Sequence, residues 1–288
     1  MTAVLIDASG YIYRSFYSQP VLVTADGTHV GAVHGYLGML WRIRRKFNDG
    51  SHFAICFDKG KSASRVAIYP EYKGNRSPQP PELTSQLDML RDATVAMGMP
   101  VVQQDGVEAD DLMASYATAF AELGDDCIIV SADKDLMQLM SEGVQLYDPL
   151  KGRMVEREDV VTKLGVGPEL VVDAQALIGD SVDNVPGVPK IGPKTAGKLL
   201  AEYGSLDNIV AHRMSIKSAA VRDSLMYHWE SALLSRRLVQ LERNIPLPVP
   251  IKNIEAREVT AKPLIAYCQR YEMTSLAAEI ADFYGVTA

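Results

Sequence analysis

The sequence predicts an α/β fold, a mostly parallel central sheet flanked by helices and followed by a helical C-terminal region. Three observations carry this reading. Five short apolar runs alternate with stretches of helical spacing, the order that builds a parallel sheet. Four strand ends carry carboxylates, the usual ligand position in an open sheet of this kind. Beyond residue 165 the strand pattern stops, and a Gly- and Pro-punctuated pair of helices takes over. With 288 residues, 47% of them hydrophobic, the chain can bury a full core.

In order, Ala3-Val4-Leu5-Ile6 reads as a buried strand ending at Asp7, with Ser9 and Gly10 leading into a helix around Tyr11 to Phe16. Asp7 is either a metal ligand or a helix N-cap. Gly31 to Phe47 has helical spacing (Val33, Leu37, Leu40, Trp41) and ends in Arg42, Arg44, Arg45 and Lys46. Those cations either complement the helix dipole or form a phosphate-contacting edge. Phe53 to Phe57 is a second strand, ending in Asp58. The basic stretch from Lys59 to Pro81 is rich in Pro and Gly, so no packed element is expected before a helix at about Glu82 to Met97. Basic residues interleaved with aromatics suit a single-stranded nucleic acid, and equally an ordinary surface loop.

Met99 to Val102 is a third strand, leading to Glu108, Asp110 and Asp111, with a helix from Asp110 to Leu123 stopped by Gly124. Cys127 to Val130 is a fourth strand and delivers Asp133 and Asp135, and Val144 to Leu146 is a short fifth. Glu169 to Ile178 is helical and runs into a turn carrying Asp180 and Asp183. The Pro189-Lys190-Ile191-Gly192-Pro193-Lys194-Thr195-Ala196 segment, with Pro193 at a first helical position, reads as a helix–hairpin–helix. Such a hairpin offers backbone N–H groups and a helix N-terminus to a phosphate, with Lys190, Lys194 and Lys198 on or near it. Asp207 to Leu241 and Leu264 to Phe283 are read as long helices, separated by an extended linker at Pro246, Pro248 and Pro250.

The nine acids Asp7, Asp58, Glu108, Asp110, Asp111, Asp133, Asp135, Asp180 and Asp183 come without nearby His or Cys, a donor set for Mg²⁺ or Mn²⁺ rather than zinc. Nine are too many for one ion and suit two, which can activate a water and stabilise a leaving oxygen in phosphodiester hydrolysis. The net charge of −7 does not exclude a nucleic acid. With those nine set aside, 27 acids face 29 bases, a balance of +2. No apolar run approaches the roughly 18–20 residues of a membrane span, and no signal peptide is expected. Cys56, Cys127 and Cys268 are scattered and odd in number, as free thiols in a reducing cytoplasm would be.

These motifs together resemble the 5′-nucleases of the flap endonuclease family, in the branch that forms the N-terminal nuclease domain of bacterial DNA polymerase I. The resemblance runs from Ile6-Asp7-Ala8-Ser9-Gly10 through Val33-His34-Gly35, Phe57 to Lys61, Tyr72 to Arg76, Gly106 to Asp111, Asp133-Lys134-Asp135, Gly179 to Asn184 and the hairpin, to Arg270-Tyr271-Glu272. It implies a PIN-like nuclease core over residues 1–165, with a helical arch at about 59–81. It also implies a helical region over 166–288, with the hairpin at about 177–203. It implies cleavage of 5′ flaps at duplex junctions, and removal of 5′ nucleotides from nicked or gapped duplexes, in replication and repair.

By the same resemblance, Asp7, Asp58, Glu108, Asp110 and Asp111 hold a first ion, and Asp133, Asp135, Asp180 and Asp183 a second. Asp111 leans towards the second, and Lys73, Arg76 and Asp111 are the catalytic candidates. Arg65, Tyr72, Lys73 and Arg76 would contact DNA at the arch, with Tyr72 stacking on a base. Lys190, Gly192, Lys194, Thr195 and Lys198 would hold duplex at the hairpin, with a K⁺ on its carbonyls. A monomer in the cytoplasm, at the nucleoid, is expected, acting on DNA and on RNA primer ends. Lys190 stands where many members have Gly. Some stand-alone members lack part of the second acid set, whereas all four are present here. The competing readings are a catalytically weak branched-DNA-binding module and a nuclease acting on RNA of RNA–DNA hybrids. A haloacid-dehalogenase-type phosphatase needs an Asp two residues after the first, where this chain has Ser9.

Overall fold

The computed structural model describes residues 1–18 and 21–287. Its centre is β1 (Thr2–Asp7), apolar over four consecutive residues because both faces are covered. The strand is flanked by β2 (His52–Cys56) and β4 (Asp126–Val130), both parallel to it. β3 (Val101–Val102), β5 (Val144–Asp148) and β6 (Arg153–Met154) complete a six-stranded sheet of order β3-β2-β1-β4-β5-β6, in which only β6 runs antiparallel. The order reverses between β1 and β4, which opens a crevice beyond their C-terminal ends. Ile6 is level with Ile55 and Val130, so Asp7, Asp58 and the Ser131–Asp133 segment all emerge at that crevice.

Side-chain alternation divides the core. Ala3 and Leu5 pack with α6 (Ala109–Glu122) and the C-terminal helices, whereas Val4 and Ile6 face α1 (Ala8–Ser18), α2 (Gly31–Lys46) and α5 (Leu87–Ala96). The first apolar cluster runs without a break past Gly165 through Val171, Ala174 and Leu177. Helices α7 (Arg157–Leu164) and α9 (Pro193–Tyr203) approach so closely that a Cβ on Gly197 would sit 2.3 Å from the carbonyl oxygen of Gly165. Helices α12 (Ala261–Arg270) and α13 (Thr274–Tyr284) return to the other face, where the Trp41 indole donates to Glu279 (3.0 Å).

Several elements differ from the sequence reading. The stretch from Lys59 to Pro81 contains a helix, α3 (Ala63–Ile68), capped by Ser62, whose hydroxyl accepts from the Arg65 N–H. The helix expected at Glu82 to Met97 is two pieces, α4 (Pro81–Thr84) and α5, because buried Gln86 turns aside to cap α2, accepting from the N–H groups of Ala32 (2.9 Å) and Val33 (3.3 Å). Asp207 to Leu241 resolves into α10 (Leu206–Ala211), a 3₁₀ turn and α11 (Ala219–Val239), itself kinked at His228. The last helix breaks at Glu272, whose φ is +57°. Among the described residues, no helix is long and apolar enough to cross a membrane.

Candidate metal centre and nucleic-acid interface

Asp7 ends β1 above Gly10, whose N–H donates to Asp7 Oδ1 at 3.2 Å and where a Cβ would press to 3.0 Å on Oδ2. Ser131, at the end of β4, donates to Asp7 Oδ2 (3.0 Å). Asp58 lies at the N-terminus of α6. It accepts from the Ala109 N–H (2.8 Å) and the Ser9 hydroxyl (2.6 Å), so the helix dipole and two donors support its charge. Burial pushes the Asp7 carboxyl up to about 7, with Asp58 and Asp133 adding repulsion. Asp110 is raised well above the usual carboxylate range, first by burial and then by Asp133, Asp7 and Asp58. Asp135 is raised to about 7 by burial and Asp133, against the pull of Lys134. Asp7, Asp58, Asp110, Asp133 and Asp135 therefore share one field.

The second set meets this group from α8 (Val171–Ile178) and the turn after it. Gln175 on α8 donates to Asp135. The Asp180–Val185 turn is closed by reciprocal backbone bonds of 2.9 and 2.7 Å. A cavity of ≈ 20 Å³, room for one water or ion, is walled by Glu108, Asp110, Asp135, Asp180 and Asp183 together with Arg65, Tyr72 and the apolar Val185, Leu238, Val239 and Leu241. The all-carboxylate donor set, its mutual repulsion and this cavity fit a hard divalent cation. Among the described residues no three acids, histidines or cysteines converge as one coordination shell, and basic side chains pair with Glu108, Asp111, Asp180 and Asp183.

Three of the expected site residues are packed among those pairs. Arg65 lies at the acids. It is 3% exposed and its guanidinium grips Asp111 through both oxygens (2.5 and 2.7 Å), reaches Glu108 (3.1 Å), and donates to the carbonyls of Leu238 (2.7 Å) and Gln240 (3.1 Å). Asp111, like Glu108 and Asp183, is paired with a basic side chain. Its oxygens are taken by Arg65, and Oδ1 also accepts from the Glu242 N–H at 2.9 Å. Tyr72 lies beside Arg65. It is buried against Val185, Leu238 and Val239, and its hydroxyl donates to Glu108 (3.0 Å).

Lys73 and Arg76 are placed at the acids. Lys73 Nζ lies 2.7 Å from Glu108 and 3.5 Å from Asp183, and Arg76 pairs with Asp183. Lys134 Nζ is 2.6 Å from Asp180. For Lys73, burial lowers the pKa, but Glu108 and Asp183 outweigh it and the net shift is upward.

At the hairpin, Lys190, Lys194 and Lys198 are exposed and make no ion pair among the described residues, and Thr195 is half-buried. Lys190 adopts the left-handed conformation (φ +68°) that glycine takes without strain. Gly192 caps α9, and α11 braces the turn, with Ser235 accepting from the Gly187 N–H (2.9 Å) and Ser224 donating to the Pro189 carbonyl (2.5 Å).

Sequence reasoning passed over Ser9, Ser131, Gln175 and Lys134, whose partners lie far away in the chain. It also passed over Tyr13 and Arg14, which line a 330 Å³ cavity beside Asp7 and Asp133. Tyr13 also lines a 240 Å³ cavity on the arch side of Asp58, with Lys61, Lys73, Arg76 and Arg91. Arg14 falls seven residues after Asp7 on an exposed helix face, the one signal that could have singled it out.

A crevice of carboxylates at the switch point of a parallel sheet, beside a basic segment and a helical hairpin, defines the fold class of the PIN-like nucleases. T5 5′-exonuclease, solved with divalent zinc ions bound, shares the fold at a TM-score of 0.70 and 19% identity, over 98% of this chain and 99% of its own. The catalytic core of Rad2, solved in complex with DNA substrate, does so at a TM-score of 0.61 and 16% identity, over 97% and 90%.

The chain belongs to the 5′-3′ exonuclease family, whose models match as an N-terminal resolvase-like domain over residues 2–165 and a C-terminal SAM fold over residues 166–262. It is 33% identical to a 5′-3′ exonuclease of Aquifex aeolicus, covering 97% of this chain and 95% of that protein. It is 40% identical to DNA polymerase I of Rhizobium leguminosarum over 96% of this chain, which spans only 28% of that relative's length.

Proposed function

We propose that the chain is a structure-specific 5′ nuclease that hydrolyses DNA phosphodiesters at single-strand/duplex junctions with two divalent ions, Mg²⁺ or Mn²⁺. The carrying observation is the meeting of Lys73 and Arg76 with Glu108 and Asp183, next to the carboxylate-lined cavity. A phosphodiester reaching those carboxylates encounters both cations, and its charge replaces the acids as their partner. Asp7, Asp58, Glu108, Asp110 and Asp111 would hold one ion and Asp133, Asp135, Asp180 and Asp183 the other. Bound there, the ions supply a hydroxide nucleophile and stabilise the leaving oxygen.

The chain's own residues do the positioning. Ser131 and Gly10 orient Asp7, Ser9 orients Asp58, and Arg65 locks Asp111 and Glu108 in place. Lys190, Lys194 and Lys198, with the α9 N-terminus at Gly192 and Thr195, would grip duplex phosphates without reading sequence. K⁺ on the hairpin carbonyls belongs to the same reading and is checked by exchanging K⁺ for Na⁺. The test is cleavage-site mapping on a labelled double-flap duplex with Mg²⁺, with and without chelator. A released flap ending in a 3′-OH is expected. Binding without any cut, with either Mg²⁺ or Mn²⁺, would sink the nuclease reading and leave a branched-DNA-binding module.

A further inference from the structure

The base of the basic segment and the acidic turn before the hairpin are joined by more than charge. Asn75 Nδ2 donates to the Ser181 carbonyl (2.7 Å), and Asn184 Nδ2 donates to the Glu71 carbonyl (2.8 Å), a reciprocal pair from one turn to the other. Between them the Lys73 N–H donates to the Asp183 carbonyl (2.9 Å). The Glu71 carbonyl also accepts from the Gly74 N–H (2.9 Å), so the Asn184 bond lands on the atom that shapes the Lys73 turn. Lys73 (φ +51°) and Asn184 (φ +57°) are both in the left-handed region, which side chains other than Asn and Asp seldom adopt. A strained backbone at Lys73 persists only where neighbouring bonds over-determine it.

We propose that Asn75 and Asn184 form a clasp that positions the Lys73 and Arg76 cations. The clasp makes the base of the basic segment and the Asp180–Asn184 turn one rigid unit. Because that turn leads directly into the hairpin braced by Ser235 and Ser224, the clasp ties the cations that meet the reacting phosphate to the element that holds the duplex. Asn75 and Asn184 are positioning residues, each donating from its side-chain amide to a backbone carbonyl. They act through Lys73 and Arg76. The inference rests on the nuclease reading for its kinetic arm and stands apart from it for its structural arm.

The test compares Asn75→Ala, Asn184→Gly and the double variant with the parent chain. Glycine accepts the φ of Asn184, so that variant removes the side-chain bond without straining the backbone. Hydrogen exchange of the metal-free proteins reads the clasp directly. Each variant is expected to speed exchange at the Lys73 and Gly74 amides at least tenfold, with exchange in β1 and α6 unchanged. On a flap duplex with Mg²⁺, kcat is expected to fall about tenfold in each single variant, with duplex affinity in chelator within twofold. The double variant is expected to match the singles rather than multiply them, because either bond's loss opens the same clasp. Unchanged exchange at Lys73 in both single variants overturns the clasp whatever the enzyme does. Faster exchange with wild-type kcat, or multiplying losses, overturns its positioning role. Failure of the parent chain to cut overturns the nuclease reading, while the exchange measurement still decides the clasp.

Discussion

Two basic regions offered phosphate binders in the sequence, the hairpin by its pattern and the 59–81 segment by its resemblance, and the structure separates them by burial. At the arch base, Arg65 and Lys73 are 3% and 9% exposed and face carboxylates. At the hairpin, Lys190, Lys194 and Lys198 stand in solvent with no acid partner among the described residues. Buried cations are held by pairs whose loss leaves an uncompensated charge, whereas exposed ones lose little when removed. The same residue types therefore do different work. On the proposed function, the arch base would organise acids and meet a single phosphate, and the hairpin would add diffuse, salt-sensitive attraction.

The sharpest way to break this comparison is Arg65→Met. It keeps the apolar stem and leaves Asp111 and Glu108 buried without their cation. Urea unfolding of the metal-free protein is expected to show a loss of about 3–5 kcal/mol, the usual cost of breaking a buried pair from one side. A loss below about 1 kcal/mol would put Arg65 in the same class as the hairpin lysines. Next comes Lys73→Ala, expected to lower kcat on a flap substrate about 10²–10³-fold while duplex affinity in chelator changes little. Removing a preorganised donor to a reacting oxygen typically has an effect of that size. A comparable loss of duplex affinity would instead make Lys73 a simple tether.

The neighbouring acids that Arg65 and Lys73 do not pair with give a smaller, pH-dependent effect. The folded pKa of Asp7 and of Asp135 is raised to about 7 from 3.8, so between about pH 4 and 7 the folded state holds protons that the unfolded state has lost. Metal-free stability should therefore fall as pH rises through that window, the reverse of a salt-bridged carboxylate. The surface pairs that lower Asp159 and Asp207 act below it. In chelator, Tm is expected to be a few degrees lower at pH 7.5 than at pH 5.5. Mn²⁺ is expected to close most of that gap, and Asp7→Asn to reduce it. A metal-free Tm that rises over the same interval would contradict the shared repulsive field.

The strand-end acids were legible because an apolar run followed by Asp is a local pattern, and parallel strands bring such ends together whatever lies between. The hairpin was legible for a similar reason, since Gly192 and Pro193 mark a helix start on their own. Partners were not legible. Arg65 reads as one more cation in a polar stretch, and its burial is set by Glu108 and Asp111, 43 and 46 residues away. The packing of Tyr72 against Val185, Leu238 and Val239 was hidden for the same reason. The long C-terminal helices were misread where apolar spacing continues through a break, as at Glu272, whose carboxylate accepts from the Ala25 N–H (2.9 Å) across the fold.

The hairpin lysines provide the smallest effect and the cleanest separation. An exposed lysine that contacts a phosphate releases about one counterion's worth of salt dependence, whatever the base sequence. Lys194→Ala and Lys198→Ala are each expected to weaken duplex binding several-fold at low salt and to reduce the slope of log K against log salt by about one. Folding stability should stay within about 0.5 kcal/mol of the parent, the range of ordinary surface substitutions. The two changes should add, since neither side chain shares a partner with the other. Lys190→Gly is the informative third case. It removes a cation and also relieves a left-handed backbone, so it should lose affinity like its neighbours yet gain slightly in stability. If it lost stability instead, Lys190 would have to be held by its side chain, and the contrast between a paired arch base and a free hairpin would fail at that residue.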